Sequence, residues 1–201
     1  MDLERRRLYL ITDAIPSERL DAALAGGVDV VQLRLKEAPD AEIVAAARPF
    51  RDLCDRHGAL FVLNDRPDLV AACGAGGVHV GQEDLTPAEA RAVVGPEAVV
   101  GLSTHSPEEV AAAAQEPVDY VAVGPVYETP TKPGRPPVGL ELIRFAAETL
   151  RLPWFAIGGI DLRTAGDVVA AGAERLAVVR AIRDAGDPER AARRLRALLP
   201  A

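Results

Sequence analysis

Lysine is almost missing from this chain. Of its 23 basic residues only Lys36 and Lys132 are lysines, and every other one is arginine. Cysteine is equally scarce, with Cys54 and Cys73 alone. The pair lacks metal-ligand spacing and is too sparse for a disulfide framework, so neither a zinc module nor a stapled secreted scaffold is indicated. Both are expected to be buried free thiols. No apolar run approaches the ~20 residues needed to cross a bilayer. The first residues lack the apolar core and small-residue cleavage site of a signal peptide. Positive charge is in deficit, with a formal net charge of -7, which argues against nucleic acid or an anionic membrane as a partner. The arginines do not gather into one patch: Arg5, Arg6 and Arg7, and Arg193, Arg194 and Arg196, read as solvated faces. The protein is therefore expected in the cytoplasm, with no nucleic-acid and no membrane partner. A homo-oligomer stays possible.

The chain does hold 201 residues, 49% of them hydrophobic. That is enough for one domain, residues 1–201, with a sizeable core. Short apolar runs alternate with amphipathic segments from end to end. Strands are expected at 8–12, 28–33, 60–63, 77–80, 98–102, 120–123, 154–157 and 175–179. Helices are expected at 17–25, 41–57, from near Pro67, at 87–94, 107–115, 140–150, 162–171, and after Asp187. Ser17, Thr86 and Ser106 read as helix caps, the last two with Glu89 and Glu109 three residues on. The strands are apolar on both faces, as parallel strands buried between helices are. About eight βα units make an α/β fold, a (β/α)₈ TIM barrel, the leading architecture. An open doubly wound sheet is the alternative.

In such a barrel, chemistry sits in the loops after the C-terminal ends of the strands. Polar residues collect there: Asp13; Gln32, Arg34 and Lys36; Asn64, Asp65 and Arg66; His79, Gln82, Glu83 and Asp84; Ser103, Thr104 and His105; Thr129, Thr131 and Lys132; Gly158 and Gly159; Arg180. At period two, Gln32, Arg34 and Lys36 share one side of their strand and point together into the barrel mouth. Asp65 and Asp84 follow neighbouring strands and suit a shared Mg²⁺, which takes one or two carboxylates plus phosphate oxygens. Taken alone, Asp84 also reads as a helix cap. Lysine's compact, rotatable ammonium suits the terminal oxygens of a diphosphate. Gly158 and Gly159 let backbone N–H groups approach a second anion. His79, between Val78 and Val80, reads as a hydrogen-bonded interior histidine, and His105 as a loop cap or an acid/base. Two anion sites, one with metal, fit a transferase that joins a diphosphate ester to a phosphorylated acceptor.

Gln-Leu-Arg-Leu-Lys at 32–36, Asn-Asp-Arg at 64–66, Gly-Val-His-Val-Gly-Gln-Glu-Asp at 77–84 and Ser-Thr-His at 103–105 form an ordered set. Gly-Pro-Val at 124–126, Thr-Pro-Thr-Lys at 129–132 and Ala-Ile-Gly-Gly-Ile at 156–160 complete it. Together they resemble the thiamine phosphate synthase family in motif order and spacing over nearly the whole chain. The resemblance implies condensation of 4-amino-2-methyl-5-(diphosphooxymethyl)pyrimidine with a thiazole phosphate or its carboxylated form. By position it implies that Gln32, Arg34, Lys36, Asn64, Ser103 and Lys132 hold the pyrimidine diphosphate. Lys36, Lys132, Arg34 and Ser103 would do so at the reacting end. It also implies that Asp65 and Asp84 bind Mg²⁺. Thr129 and Thr131 would contact the thiazole phosphate, whose phosphate would rest on Gly159 and the Val179–Arg180 turn. Two positions depart from the family. Leu35 replaces a usual acid, though at period two it faces away from Arg34 and Lys36. Arg180 replaces a frequent serine. The related thiazole tautomerase, with His105 as acid/base, and a non-catalytic phosphometabolite regulator are the competing readings.

Overall fold

A computed structural model of the chain describes residues 2–129 and 136–200. The first half runs β1 (Leu8–Thr12), α1 (Ser17–Ala25), β2 (Val30–Leu33), α2 (Asp40–His57), β3 (Leu60–Asn64), a 3₁₀ turn (Pro67–Leu69) leading into α3 (Val70–Cys73), β4 (Gly77–Val80) and α4 (Pro87–Val94). The second half runs β5 (Val99–Thr104), α5 (Pro107–Ala113), β6 (Tyr120–Val123), α6 (Gly139–Thr149), β7 (Trp154–Ile157), α7 (Ala165–Ala170), β8 (Leu176–Val178), α8 (Arg180–Arg183) and α9 (Pro188–Arg196). The strands pair in sequence order, all parallel, and β8 returns to β1. The sheet is therefore a closed barrel, and the open doubly wound alternative is wrong.

Closure follows from strands that are apolar on both sides. In β1 and β2 every residue is buried, and alternate side chains enter two separate cores. Leu8, Leu10, Val31 and Leu33 pack outward against the helices. Tyr9, Ile11, Val30, Leu60, Val62, Val99, Tyr120, Phe155 and Ala177 fill the barrel, with Leu3 among them. Within that interior Tyr9, Tyr120 and Phe155 meet edge to face, with ring centroids 5.3 to 5.9 Å apart. Room for the Tyr120 ring comes from its register partner Gly101, where a Cβ would stand 2.1 Å from Tyr120 Cζ.

Helix ends bear out two expected caps and correct two other expectations. Thr86 is a full cap: its hydroxyl accepts from Glu89 N–H while the Glu89 carboxylate accepts from Thr86 N–H. Ser106 also accepts from Glu109 N–H, but the Glu109 carboxylate takes the His105 N–H instead. Ser17 is not a cap. Pro16 occupies that position and has no side-chain acceptor, so Ser17 is the first helical residue. The helix expected from 162 starts at Ala165, because the Asp161 carboxylate accepts from the N–H groups of Arg163 and Thr164 and holds a turn there. The short α8 was not anticipated, since the apolar run continues through Val179.

Cys54 and Cys73 are both buried and unpaired. Burial pushes the Cys54 thiol up to about 12 and raises Cys73 as well. At pH 8 both thiols are thus protonated and inaccessible. Native protein is expected to resist a small disulfide reagent at that pH, whereas protein in guanidinium chloride should react at two thiols. Rapid labelling of the native chain would contradict this packing. No helix among the described residues is long and apolar enough to cross a membrane.

Candidate active site

A cavity of about 340 Å³ opens at the C-terminal rim of the barrel. Its wall is built from the ends of successive strands. Arg34 continues β2, donating its N–H to Thr12 O at 2.8 Å. Asp65 continues β3 in the same way, donating to His79 O at 2.9 Å. Asn64 and Ser103 lie inside β3 and β5 rather than in the loops beyond them, which fixes their direction. Gln32, Arg34 and Lys36 all reach the cavity, the first two on β2 and its extension and Lys36 from the turn beyond. Leu35 turns outward against the helix layer.

Two cationic and two acidic side chains share this wall. Lys36 Nζ lies 3.9 Å from Asp65 Oδ2. Asp65 itself has φ 60°, a left-handed conformation uncommon for a side-chain-bearing residue. Such strain is often found where a side chain must point a particular way for function. Burial raises the Asp65 carboxyl above its ordinary value, the facing Asp84 carboxylate raises it further, and Lys36 and Asn64 oppose both. Asp84 does not cap α4, since Thr86 does; its Oδ2 instead accepts from Gly81 N–H at 2.8 Å. Two carboxylates pressed together, one half-buried, form a donor set that a divalent cation would relieve. Mg²⁺ fits, because it asks for one or two carboxylates and takes its remaining oxygens from water and phosphate. Among the described residues no cluster of three His, Cys, Asp or Glu offers a fuller cage.

The opposite wall is nearly free of acids. Gly158 and Gly159 have φ 102° and 65°, and both line the cavity with Thr129, Val179 and Arg180. Space as well as conformation demands glycine. A Cβ on Gly158 would stand 2.3 Å from Pro125 Cα, and one on Gly159 would stand 2.8 Å from Glu128 O. Gly158→Ala is expected to cost about 2 kcal/mol or more through strain and overpacking. A denaturant midpoint indistinguishable from wild type would refute that cramped turn. Asp161 and Arg163 also reach this side, joined by a 2.7 Å ion pair. Neither was singled out from the sequence. Thr131 and Lys132 lie outside the described residues.

Beneath the cavity a file of polar groups runs through the otherwise apolar barrel interior. Gln32 Nε2 donates to Tyr9 Oη at 2.6 Å, and Tyr9 Oη meets Tyr120 Oη at 2.9 Å. Tyr120 Oη in turn lies 2.9 Å from His79 Nδ1, and His79 Nε2 lies 2.9 Å from Ser103 Oγ. Gln82 Nε2 donates to the Ser103 carbonyl at 2.7 Å. His79 is thus the interior, hydrogen-bonded histidine expected. His105 lines the cavity with Nδ1 against the Gly124 carbonyl. The two tyrosines were missed. The available signal was Gly101, a glycine inside an apolar strand, which marks a close approach. Arg66, from the same motif as Asp65, spends its guanidinium on Asp40 and Asp68 at the surface.

Strand-end cations, a carboxylate pair and a glycine turn surround one cavity at the C-terminal rim, the layout of a barrel enzyme. The sequence matches the family described as thiamine monophosphate synthase over residues 8–182. A thiamine-phosphate synthase from Gloeobacter violaceus is 55% identical over 94% of this chain, which spans 56% of that relative's length. One from Thermus thermophilus is 54% identical, with 94% of this chain and 95% of the relative covered. The solved thiamine phosphate pyrophosphorylase from Pyrococcus furiosus superposes with a TM-score of 0.89 at 34% identity, covering 98% of this chain and 96% of that one. The chain belongs to the thiamine monophosphate synthase family.

Proposed function

We propose that this chain joins 4-amino-2-methyl-5-(diphosphooxymethyl)pyrimidine to a thiazole phosphate, releasing thiamine phosphate and diphosphate. The observation that carries the reading is one cavity with two unlike walls. Arg34, Lys36, Asn64, Ser103 and the Asp65–Asp84 pair stand on one side, and Gly158, Gly159, Val179 and Arg180 on the other. The first wall would take the diphosphate. Arg34 and Lys36 supply charge, Asn64 and Ser103 supply neutral donors, and Gln32 reaches the same space; Lys132 is assigned here from its sequence position. The second wall, with Thr129 and Thr131, would take the thiazole phosphate.

The bond to break joins the pyrimidine's methylene carbon to a diphosphate oxygen. The ring's amino group feeds electrons to that carbon as the diphosphate leaves, and the thiazole nitrogen then attacks it. The protein has to hold the two reactants face to face and accept the charge that gathers on the departing oxygens. Asp65 and Asp84 would hold Mg²⁺, which when bound neutralises part of that charge. No enzymic nucleophile is required, and the buried, protonated Cys54 and Cys73 provide none. The cytoplasm is the compartment proposed.

Mixing both substrates with Mg²⁺ and following diphosphate release tests the reading. Stoichiometric diphosphate and thiamine phosphate are expected. No diphosphate, with tautomerisation of a carboxythiazole phosphate instead, would replace the reading with the isomerase. An isomerase would leave the wall of Arg34, Lys36, Asp65 and Asp84 without a task.

A further inference from the structure

Five side chains inside the barrel form one hydrogen-bonded file: Gln32, Tyr9, Tyr120, His79 and Ser103, with every link between 2.6 and 2.9 Å. Gln32, Tyr9, His79 and Ser103 touch the cavity, but Tyr120 does not line it and is fully buried. Proton bookkeeping gives the file a direction. The Gln32 amide nitrogen can only donate, so Tyr9 Oη accepts from it. Tyr9 then passes its single proton to its other partner, Tyr120 Oη. Tyr120, having accepted, passes its own proton to His79 Nδ1. A ring nitrogen that accepts leaves the imidazole proton on the other nitrogen, so His79 Nε2–H donates to Ser103 Oγ. Ser103, having accepted, keeps its own hydroxyl proton for the cavity. Burial raises both phenols well above their ordinary range, so neither can serve as an anionic acceptor that would reverse the order.

We propose that Tyr120 is a positioning residue: acting through His79, it fixes Ser103 as a hydrogen-bond donor toward the leaving diphosphate. The proposal rests on the reading of the site given above. It accounts for a tyrosine that touches no substrate yet requires glycine at 101 to make room for its ring. In the reverse arrangement Ser103 would donate to His79 and offer the diphosphate only lone pairs, which repel it.

Two measurements test this. Nitrogen-15 NMR of wild-type protein labelled at the histidine ring nitrogens, with His79 assigned by the signal lost in His79→Asn, reads the tautomer. The proton is expected on Nε2, and finding it on Nδ1 overturns the proposal whatever the enzyme's substrate. The second is a double-mutant cycle on kcat, with each variant first shown to be folded by circular dichroism. Tyr120→Phe is expected to lower kcat about tenfold in the wild-type background, yet less than twofold in Ser103→Ala, because the effect passes through the serine. Equal losses in the two backgrounds would mean that Tyr120 only supports the fold, and the proposal would fail. Wild-type protein that releases no diphosphate would instead sink the reading of the site and leave the tautomer result standing.

Discussion

Asp84→Asn is expected to lower turnover by roughly 10²–10³-fold while the barrel stays folded, since the charge stabilisation that a bound divalent cation supplies is worth several kcal/mol. The substitution keeps an oxygen for Gly81 N–H, which Asp84 Oδ2 now receives at 2.8 Å, but removes one of two negative charges offered to the metal. Its effect on stability should run the other way. Asp65 is raised in the folded state by burial and by Asp84, so the fold holds that proton more tightly than the unfolded chain does. Asp65's contribution is therefore fully present below the ordinary carboxylate value and is lost as pH climbs through the raised one. At pH 7 without metal the two carboxylates repel, and Asp84→Asn removes the repulsion. The variant should melt no lower than wild type in EDTA, and Mg²⁺ should raise its melting temperature less. A variant with wild-type turnover, or one that melts well below wild type in EDTA, would show that Asp84 serves the loop and not the chemistry.

Removing either lysine is the second large effect. Lys36 stands at the cavity mouth, 3.9 Å from Asp65 and half-exposed. Its ammonium is thus poised between the acid it now neutralises and the oxygens it would meet. Lys36→Ala should lower kcat about 10²-fold, as the loss of one preorganised charge at a developing anion does. Lys132→Ala is expected to act similarly. That expectation comes from its motif and from the rarity of lysine in a chain that otherwise uses arginine. Steady-state kinetics with saturating pyrimidine diphosphate separates a loss of binding from a loss of rate. A change confined to KM in both variants would mean that the lysines hold the ground state and not the departing charge.

Much of this arrangement was legible in the residues. Gln32 and Arg34 reach the cavity because a strand and its immediate extension repeat every two residues, a rule that needs no tertiary information, whereas Lys36 reaches it from the turn that follows β2. The barrel was readable for the same reason, as apolar runs of strand length kept alternating with amphipathic helices. Other features were hidden because they depend on atoms far apart in sequence. The contact between Tyr9 and Tyr120 spans 111 residues, and no local pattern encodes it. Asp84 also read as a helix cap on paper, and that reading falls because Thr86 holds the helix start, as its spacing to Glu89 had indicated. Asp161 shortened α7 because its carboxylate competes for the first N–H groups, a contest that propensity does not rank. Arg180, singled out from the sequence, lines the cavity.

Leu3 sits 7% exposed with the interior cluster, Arg6 and Arg7 hydrogen-bond to Asp29 just before β2, and the Arg196 side chain reaches within 3.3 Å of where a Cβ on Gly27 would be. Both extremities of the described chain are therefore anchored at the floor of the cylinder, a full strand length from the cavity at the opposite rim. A tag, tether or whole additional module grafted to either extremity would hang below that floor. Fusion partners could thus be exchanged without obstructing the cavity mouth.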